Sequence, residues 1–241
     1  MTYKDKPFNE YIQSLCWRHQ NSSPQSILRD CIKNEFNNQI ALLSSFGAES
    51  IVLLHMISLI DRSLPVLFLD TWKLFPKTLL YRDEVIEKLD LQNVRILTPE
   101  KEDAEREDPL GTLWQEDPDR CCTIRKVKPL AKAMENFRAQ INGRKRYHGY
   151  DRSALPLFNG DGDKVQVNPL VAWKPEKIKD YMNEHNLPQH PLTKQGYTSI
   201  GCIPCTAKPL SEDDVRSGRW PDQQKKECGI HYLYKNKHNS G

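Results

Sequence analysis

The spacing of the cysteines is the first feature of this sequence that indicates chemistry. Four of the seven cysteines form two close pairs, Cys121–Cys122 and Cys202–Cys205. Four thiolates in two pairs suit a tetrahedral zinc ion or an iron–sulfur cluster. Adjacent cysteines tend to direct their side chains apart and rarely share one zinc ion well, whereas a cubane gives each thiolate its own iron. The spacing therefore favours a [4Fe–4S] cluster held by Cys121, Cys122, Cys202 and Cys205.

The other three cysteines are single residues. Cys228 follows Lys225 and Lys226, with one glutamate between. Nearby lysines raise the thiolate fraction of a cysteine, while a glutamate acts in the opposite sense. A reactive nucleophile and an inert surface thiol are equally consistent with this segment. Cys16 and Cys31 have no partners in the sequence, and we expect buried or incidental thiols there.

A turn rich in serine and glycine, residues 44–50, lies between a predicted strand and a predicted helix. A helix N-terminus offers unpaired N–H groups and a positive dipole end, which suit a phosphate or sulfate. The turn is not a Walker motif, because no Gly-Lys-Ser/Thr follows it. An ordinary strand-to-helix turn capped by serine explains the same residues at least as well.

Positive charge is concentrated between residues 120 and 152, although the formal net charge of the chain is only +3. Within this region, Arg144, Lys145, Arg146 and Arg152 crowd a stretch with little helical pattern. Such a group is either a solvated basic face or an anion site. The stretch is short for a nucleic-acid surface, so we expect a small anionic ligand and no nucleic acid.

The elements that must position these residues alternate between strand and helix. Apolar runs predict strands at 39–43, 65–69 and 94–97, with helices at 49–60 and 76–89 between them. This order predicts right-handed crossovers and a parallel sheet with helices on both faces, an α/β fold of the Rossmann-like class. Ligands of such sheets bind beyond the carboxyl ends of the strands, where the serine-rich turn lies.

The second half of the chain has weaker patterns. An apolar stripe predicts a helix over 124–141, with Pro129 kinking it or marking its true start. Farther along, we expect a strand at 165–167 and a helix at 175–185.

Composition excludes several classes of protein. Hydrophobic residues make up 38% and charged residues 28% of the 241 residues, as in soluble globular proteins. The longest apolar run, 51–60, is too short to span a bilayer, and the first ten residues show no secretory signal. We therefore expect a cytoplasmic protein without a membrane partner. The length fits one domain over 24–205 and a polar, mobile C-terminal tail over 206–241.

Taken together, these segments resemble the assimilatory sulfonucleotide reductases, in particular the cluster-containing adenosine 5′-phosphosulfate (APS) reductases. The matching motifs run in order from about residue 40 to residue 231, and they include both cysteine pairs and a terminal Glu-Cys-Gly-Ile-His. The other matching segments are 44–50, 69–71, 74–76, 125–126, 143–152 and 216–220. Each motif alone is weak, but the combination is specific. The resemblance implies the fold of the pyrophosphate-loop adenine nucleotide hydrolases.

The resemblance further implies a thioredoxin-dependent reduction of APS to sulfite and AMP, in sulfate assimilation and cysteine biosynthesis. Cys228 would attack the sulfate sulfur, expel AMP and carry an S-sulfocysteine intermediate that thioredoxin or glutaredoxin then reduces. The cluster would act structurally and electrostatically, since the dithiol supplies the electrons. The substrate-binding residues that the resemblance implies are Ser44, Ser45, Gly47, Leu69, Asp70, Thr71, Lys126, Arg146, Arg216 and Arg219.

Two departures from the family pattern affect the predicted pocket. Trp72 stands where the family commonly has glycine after Asp-Thr, and its indole is expected to narrow or cap the nucleotide pocket. Tyr147 and His148 stand where Asp-Gln is frequent, directly after Arg146.

Three alternatives stay open. The nearest is a reductase of the 3′-phosphorylated substrate (PAPS) or a dual-specificity enzyme, although PAPS-specific relatives usually lack the four cluster cysteines. An ATP-using tRNA sulfur transferase would carry Ser-Gly-Gly-x-Asp-Ser, whereas this chain has Ser-Phe-Gly-Ala-Glu-Ser. The third is a catalytically silent cluster-binding protein. A homo-oligomer is compatible with all of these functions.

Overall fold

The computed structural model describes residues 7–210, 214–221, 223, 225 and 227–231. Lys226 and the part of the predicted tail after residue 231 lie outside this range. The described strands are β1 Ile40–Leu43, β2 Val66–Leu69, β3 Val94–Leu97, β4 Ala139–Ile141, β5 Phe158–Asp161 and β6 Lys164–Val167. The described helices are α1 Phe8–Arg18, α2 Pro24–Asp30, α3 Ser50–Ser58, α4 Pro76–Leu89, α5 Lys101–Glu107, α6 Leu113–Glu116, α7 Pro118–Cys122, α8 Lys128–Met134 and α9 Pro175–Glu184.

Shorter helical turns complete the secondary structure. Two π-helical turns, Cys31–Glu35 and Thr123–Val127, follow α2 and α7 directly. Single 3-10 turns lie at Arg146–His148, Tyr150–Arg152, Thr193–Gln195, Ile203–Cys205 and Gly229–His231. None of the described helices is long and apolar enough to cross a membrane.

The six strands form one mixed sheet in the order β3-β2-β1-β4-β6-β5. All neighbouring pairs are parallel except β5 and β6, which form an antiparallel edge. The strand order reverses its direction between β1 and β4, so the loops after these two strands flank the crevice where ligands of such sheets bind. The predicted Rossmann-like α/β fold is confirmed.

Alternate residues of the central strands cover opposite faces of the sheet. Ile40 and Leu42 of β1 belong to a large core that also contains the apolar side of α3. Ala41 of β1 and Leu67 of β2 face a smaller core formed with α8. β1 and β2, which have packed side chains on both faces, are apolar throughout, and this made them predictable from the sequence.

The predicted helix at 124–141 is wrong in its second half. The helical path ends at Met134, and Ala139–Ile141 forms β4. This strand pairs in parallel with β1, Ile40 opposite Ala139 and Leu42 opposite Ile141. An apolar run of this length fits the pattern of a helix or of a strand. It forms a strand here because the edge of β1 is free to pair with it. Pro129 does not mark the start of the helix as predicted, because the helical path continues into α8 directly from α7 and the π-helical turn Thr123–Val127.

The structure adds α1 and β5 to the elements predicted from the sequence. α1 buries Tyr11 and Leu15 in the large core. It also packs against β5, where a side chain on Gly160 would come within 2.6 Å of the Phe8 ring. β5 has the sequence Phe-Asn-Gly-Asp, which lacks the apolar alternation of a strand. Pairing with β6 in a tight hairpin is what extends this segment.

A buried histidine joins α4 to the chain after α9. His190 is fully buried, its Nδ1 accepts a hydrogen bond from Leu192 N–H at 3.1 Å, and its Nε2 lies 3.1 Å from Thr78 Oγ1. Burial lowers the pKa of His190 to about 4. In the unfolded chain the ring binds a proton near pH 6.5. Stability should therefore fall as the pH drops from about 6.5 toward 4, by roughly 2 kcal/mol at pH 5 from this residue alone.

The variant His190→Gln isolates this effect, because its amide offers the same donor and acceptor without titrating. We expect the thermal midpoint of the wild type to drop further between pH 7 and pH 5 than that of the variant. An equal drop in both proteins would show that His190 is not the group responsible.

Candidate active site

A cavity of about 540 Å³ lies at the carboxyl ends of β1 and β4. Its walls come from the turn 44–50, the segment 142–145 and the last described segment, 227–231. Among the predicted site residues, those that line it are Ser44, Ser45, Gly47, Leu69, Thr71, Lys126, Cys202, Arg216, Arg219 and Cys228. The fold thus brings most of the predicted substrate-binding residues to one place.

The turn after β1 is held in shape by its own side chains. Ser44 Oγ accepts a hydrogen bond from Phe46 N–H at 3.2 Å, and Ser50 Oγ accepts one from Gly47 N–H at 3.0 Å. Phe46 adopts a positive φ of 46° and packs its buried ring edge-on against Phe68. The turn therefore presents the N-terminus of α3 to the cavity in a fixed shape that suits a phosphate or sulfate.

Three residues that the sequence placed at the pocket do not line it. Asp70 Oδ1 accepts a hydrogen bond from Trp72 N–H at 3.0 Å at the end of β2, outside the cavity. The indole of Trp72 is about half exposed and does not narrow the cavity. Arg146 is exposed, and its Nε donates to the carbonyl oxygen of Leu155 at 2.9 Å. Other members of the basic stretch, Arg144, Lys145 and Arg152, line the cavity instead.

The basic wall of the cavity is built by Arg144, Lys145 and Arg152. Arg144 is buried, and its Nε donates to Asn168 Oδ1 at 3.2 Å. The sequence indicated this basic stretch as an anion site, but only the fold shows which of its side chains face inward. The expectation of an anion site is supported by this arrangement of buried cations.

A carboxylate in the turn after β1 neutralises part of that wall. Glu49 Oε2 lies 2.7 Å from Lys145 Nζ and 3.3 Å from His148 Nε2. Glu49 Oε1 accepts a hydrogen bond from the hydroxyl of Tyr147. Burial would raise the pKa of Glu49, but Lys145 and His148 hold it well below its usual range. Sequence reasoning missed these contacts, which involve Tyr147 and His148, two of the residues that depart from the family pattern.

Cys228 is buried in the cavity, with 6% of its surface exposed, next to Cys122. A hydrogen bond from the Cys122 thiol lowers the pKa of Cys228, burial opposes this, and the Lys126 ammonium lowers it further. Burial would lower the pKa of Lys126, but the neighbouring sulfurs, that of Cys228 foremost, raise it. Both shifts favour a thiolate at Cys228 beside a charged lysine.

The two cysteine pairs surround a second, much smaller cavity that Arg125 and Lys126 also line. All four cysteines are buried, and Thr71 Oγ1 lies 3.1 Å from Cys202 Sγ. The indole Nε1 of Trp220 is buried beside these cysteines without an acceptor among the described residues. Within that part of the chain, no three His, Cys, Asp or Glu side chains are arranged to hold a single metal ion. The side chains around the small cavity that are able to bind a metal are all thiols. Cationic and hydrogen-bond-donating side chains lie next to them.

Arg125 fixes the first cysteine pair against the sheet. Its Nη2 lies 2.7 Å from Asp108 Oδ2, and both side chains are almost completely buried. Its Nη1 donates to the carbonyl oxygen of Thr71 at 3.1 Å. Loss of either partner of such a buried ion pair is strongly destabilising. The ion pair joins the turn after α7 to the end of α5, and the hydrogen bond to Thr71 joins it to the end of β2.

The fold and the cavity define a class of protein: a nucleotide-binding type of α/β fold with a cavity that is lined by basic side chains and contains a buried thiol. Within that class, the chain belongs to the phosphoadenosine phosphosulfate reductase family, whose domain matches residues 39–208.

Individual relatives agree with this family. A protein from Mesorhizobium japonicum named adenosine 5′-phosphosulfate reductase is 47% identical over 208 residues, covering 86% of this chain and 82% of that protein. One of the same name from Chelativorans sp. is 41% identical and covers 96% of each chain. Among solved structures, a phosphoadenylyl-sulfate (PAPS) reductase from Candida auris has a TM-score of 0.70 at 28% identity, covering 82% of this chain and 97% of that chain. Yeast FAD synthetase, with a TM-score of 0.53 at 17% identity over 86% of this chain and 70% of that chain, shares the fold alone.

Proposed function

We propose that this protein reduces adenosine 5′-phosphosulfate to sulfite and AMP, with Cys228 as the nucleophile. The observation that carries the proposal is the Cys228 thiol, buried beside Lys126 in a cavity that Arg216 and Arg219 also line. A thiolate approaches an already anionic sulfate only where fixed positive charge offsets their repulsion. The relatives named adenosine 5′-phosphosulfate reductase, at 47% and 41% identity, favour the substrate without a 3′-phosphate.

The reaction begins with attack of the Cys228 thiolate on the sulfate sulfur. A sulfur–sulfur bond forms, the bond from sulfur to the bridging phosphate oxygen breaks, and AMP leaves with that electron pair. Cys228 then carries an S-sulfonate. Lys126, Arg216 and Arg219 stabilise the charge that gathers on the sulfonyl and phosphate oxygens. The turn 44–50 binds the anionic end of the nucleotide, and Leu69 and Thr71 line the adenosine side.

The second half of the reaction needs a dithiol, and we propose thioredoxin or glutaredoxin. One thiolate of the dithiol attacks Cys228 Sγ and releases sulfite, and its second thiol resolves the mixed disulfide, so the dithiol supplies both electrons. Cys228 must meet first the substrate and then a protein partner, which is why we predict that the segment 227–231 moves during the reaction. All seven cysteines are free, as expected for a protein that works in a reducing compartment such as the cytoplasm.

We further propose a [4Fe–4S] cluster on the two cysteine pairs. The residues present fit it: four buried thiols, no competing carboxylate or imidazole around the small cavity, and a Trp220 N–H that lacks an acceptor among the described residues. When bound, the cluster would supply a fixed structural and electrostatic centre beside the site rather than the electrons. With Cys122 bound to iron, its thiol would not donate to Cys228, and Lys126 would be the main group that stabilises the thiolate.

Replacing Cys205 with serine should remove most of the iron, because a cubane that loses one of four thiolate ligands is weakly held. Iron content and the visible absorption spectrum of anaerobically purified protein measure the loss. The matched control is Cys16→Ser, a half-buried thiol near Phe158 and not part of either pair. Equal iron in the two variants would contradict the assignment of these ligands.

An assay with two nucleotides tests the proposed reaction. Purified protein with thioredoxin and APS, without ATP, should release sulfite and AMP in equal amounts, and PAPS at the same concentration should react more slowly. The PAPS alternative is favoured by the Candida auris reductase, and faster turnover of PAPS would establish it. A requirement for ATP would instead point to a sulfur transferase.

A further inference from the structure

Glu227, next to the proposed nucleophile, is an internal anion in the cavity. Its Oε2 lies 2.6 Å from Arg152 Nε, and its Oε1 lies 3.6 Å from Arg216 Nη2. The three side chains are only 10–13% exposed. Arginine binds a carboxylate and a tetrahedral oxyanion with the same fork of N–H groups, so Glu227 lies where such an anion would bind.

The same carboxylate holds the backbone of the nucleophile. Glu227 Oε1 accepts a hydrogen bond from Cys228 N–H at 3.1 Å. The other end of this segment is attached separately, since Gln166 Nε2 donates to the carbonyl oxygen of His231 at 3.1 Å. The ion pairs of Glu227 thus hold the segment before the thiol, and Gln166 holds it after the thiol.

Arg152 is itself oriented from the turn after β1. Its Nη1 lies 3.0 Å from His148 Nδ1, and His148 Nε2 lies 3.3 Å from Glu49 Oε2. Because Nδ1 accepts from the arginine, Nε2 carries the proton and donates to Glu49. Burial lowers the pKa of His148 to about 4, so the ring is neutral at neutral pH, as this arrangement requires. A continuous chain of hydrogen bonds from Glu49 through His148 and Arg152 reaches Glu227.

We propose that Glu227 is a positioning residue that holds Cys228 in the cavity by pairing with Arg152 and Arg216, and that a tetrahedral oxyanion competes with it for these arginines. The competing group is a sulfate or phosphate, whether free or part of a nucleotide. Its arrival withdraws the arginines from Glu227 and loosens the segment that carries Cys228. Anion binding is thereby coupled to the freedom of the thiol, and the coupling is reciprocal. This inference goes beyond the proposed function, on which it rests for the role of Cys228.

The test measures how fast iodoacetamide alkylates Cys228 in the anaerobic full chain without nucleotide, read from the Cys228 peptide by mass spectrometry. Sodium sulfate should accelerate alkylation of the wild type severalfold more than sodium chloride at equal ionic strength. Glu227→Gln should react at least about tenfold faster than wild type without sulfate, the size expected for the loss of a charge-assisted hydrogen bond, and should lose the sulfate response.

Two further variants distinguish a positioning role of Glu227 from a general disturbance of the protein structure. Glu227→Asp keeps the charge and should restore part of the slow rate and of the sulfate response. Glu100→Gln removes an exposed carboxylate that pairs with Lys132, and it should behave as wild type. A wild-type rate in Glu227→Gln, or sulfate that is no better than chloride or slows the reaction, would overturn the proposal. Alkylation needs no turnover, so this result is independent of whether the protein reduces APS.

Discussion

Replacing Cys228 with serine should abolish sulfite formation, with a loss of at least about 10⁴-fold in kcat, because a hydroxyl cannot replace the thiolate as nucleophile or carry the sulfonate. The thiol lies at the cavity wall beside Lys126, so its removal leaves the cations of the site in place. Nucleotide binding and iron content should stay near wild type. Sulfite release with thioredoxin, nucleotide binding by calorimetry and iron analysis measure the three properties.

The pattern of the three results separates the remaining interpretations. Cys16→Ser serves as the control, since this thiol lies on α1, outside the cavity lining. If Cys228→Ser keeps its activity, the assignment of Cys228 as the nucleophile is wrong. If it loses activity and nucleotide binding together, the residue is structural rather than catalytic.

Lys126→Met should lower kcat/KM by about 10²- to 10³-fold, the usual effect of removing one preorganised charge from a site of this kind. Lys126 lies between Cys228 and the cysteine pairs, and these sulfurs raise its pKa, so it stays charged. Its loss should destabilise the thiolate of Cys228 and weaken the binding of the transferred sulfonyl group. Initial rates over a range of APS concentrations measure the change.

The control for charge alone is Lys179→Met. Lys179 also lines the cavity, but it lies on the exposed side of α9. We expect a change of less than about threefold for this variant, since exposed charges interact weakly. Similar losses in both variants would mean that the cavity needs only net positive charge, and the specific role of Lys126 would then be wrong.

The part of the fold that could be predicted from the sequence is the first half of the sheet, where β1 and β2 are largely buried and β3 is the partly exposed edge. β1, β2 and β3 with α3 and α4 between them were predicted to within one or two residues, because turn residues separate segments of strand and helix pattern there. β4 was misassigned to a helix, since a three-residue strand has no periodicity of its own and is defined by its pairing with β1. Such pairing depends on residues about a hundred positions away.

In the candidate site, most of the residues that take part were predictable from the sequence, but the directions of their side chains were not. Leu69 and Thr71 face the cavity and Asp70 does not, because successive side chains alternate at the end of a strand. The basic stretch was recognisable by composition, yet only the fold shows that Arg152 faces inward and Arg146 outward.

The carboxylates Glu49 and Glu227 were missed for a different reason. An anion site is recognised in a sequence by its positive charges, so acidic residues inside such a site are overlooked because their charge has the opposite sign. Both lie inside motifs that were recognised, Glu49 in the turn 44–50 and Glu227 in the terminal Glu-Cys-Gly-Ile-His. An acidic residue within an anion-binding motif is therefore worth testing as an internal counter-ion.

The central claim is that Cys228 becomes covalently sulfonated, and one mass measurement tests it. Anaerobically purified protein is incubated with APS in the absence of thioredoxin, and its intact mass and peptide masses are determined. We predict that the chain gains the mass of one sulfonate, located on the Cys228 peptide, and that adding thioredoxin removes it. An active preparation in which the Cys228 peptide never gains this mass would contradict the account.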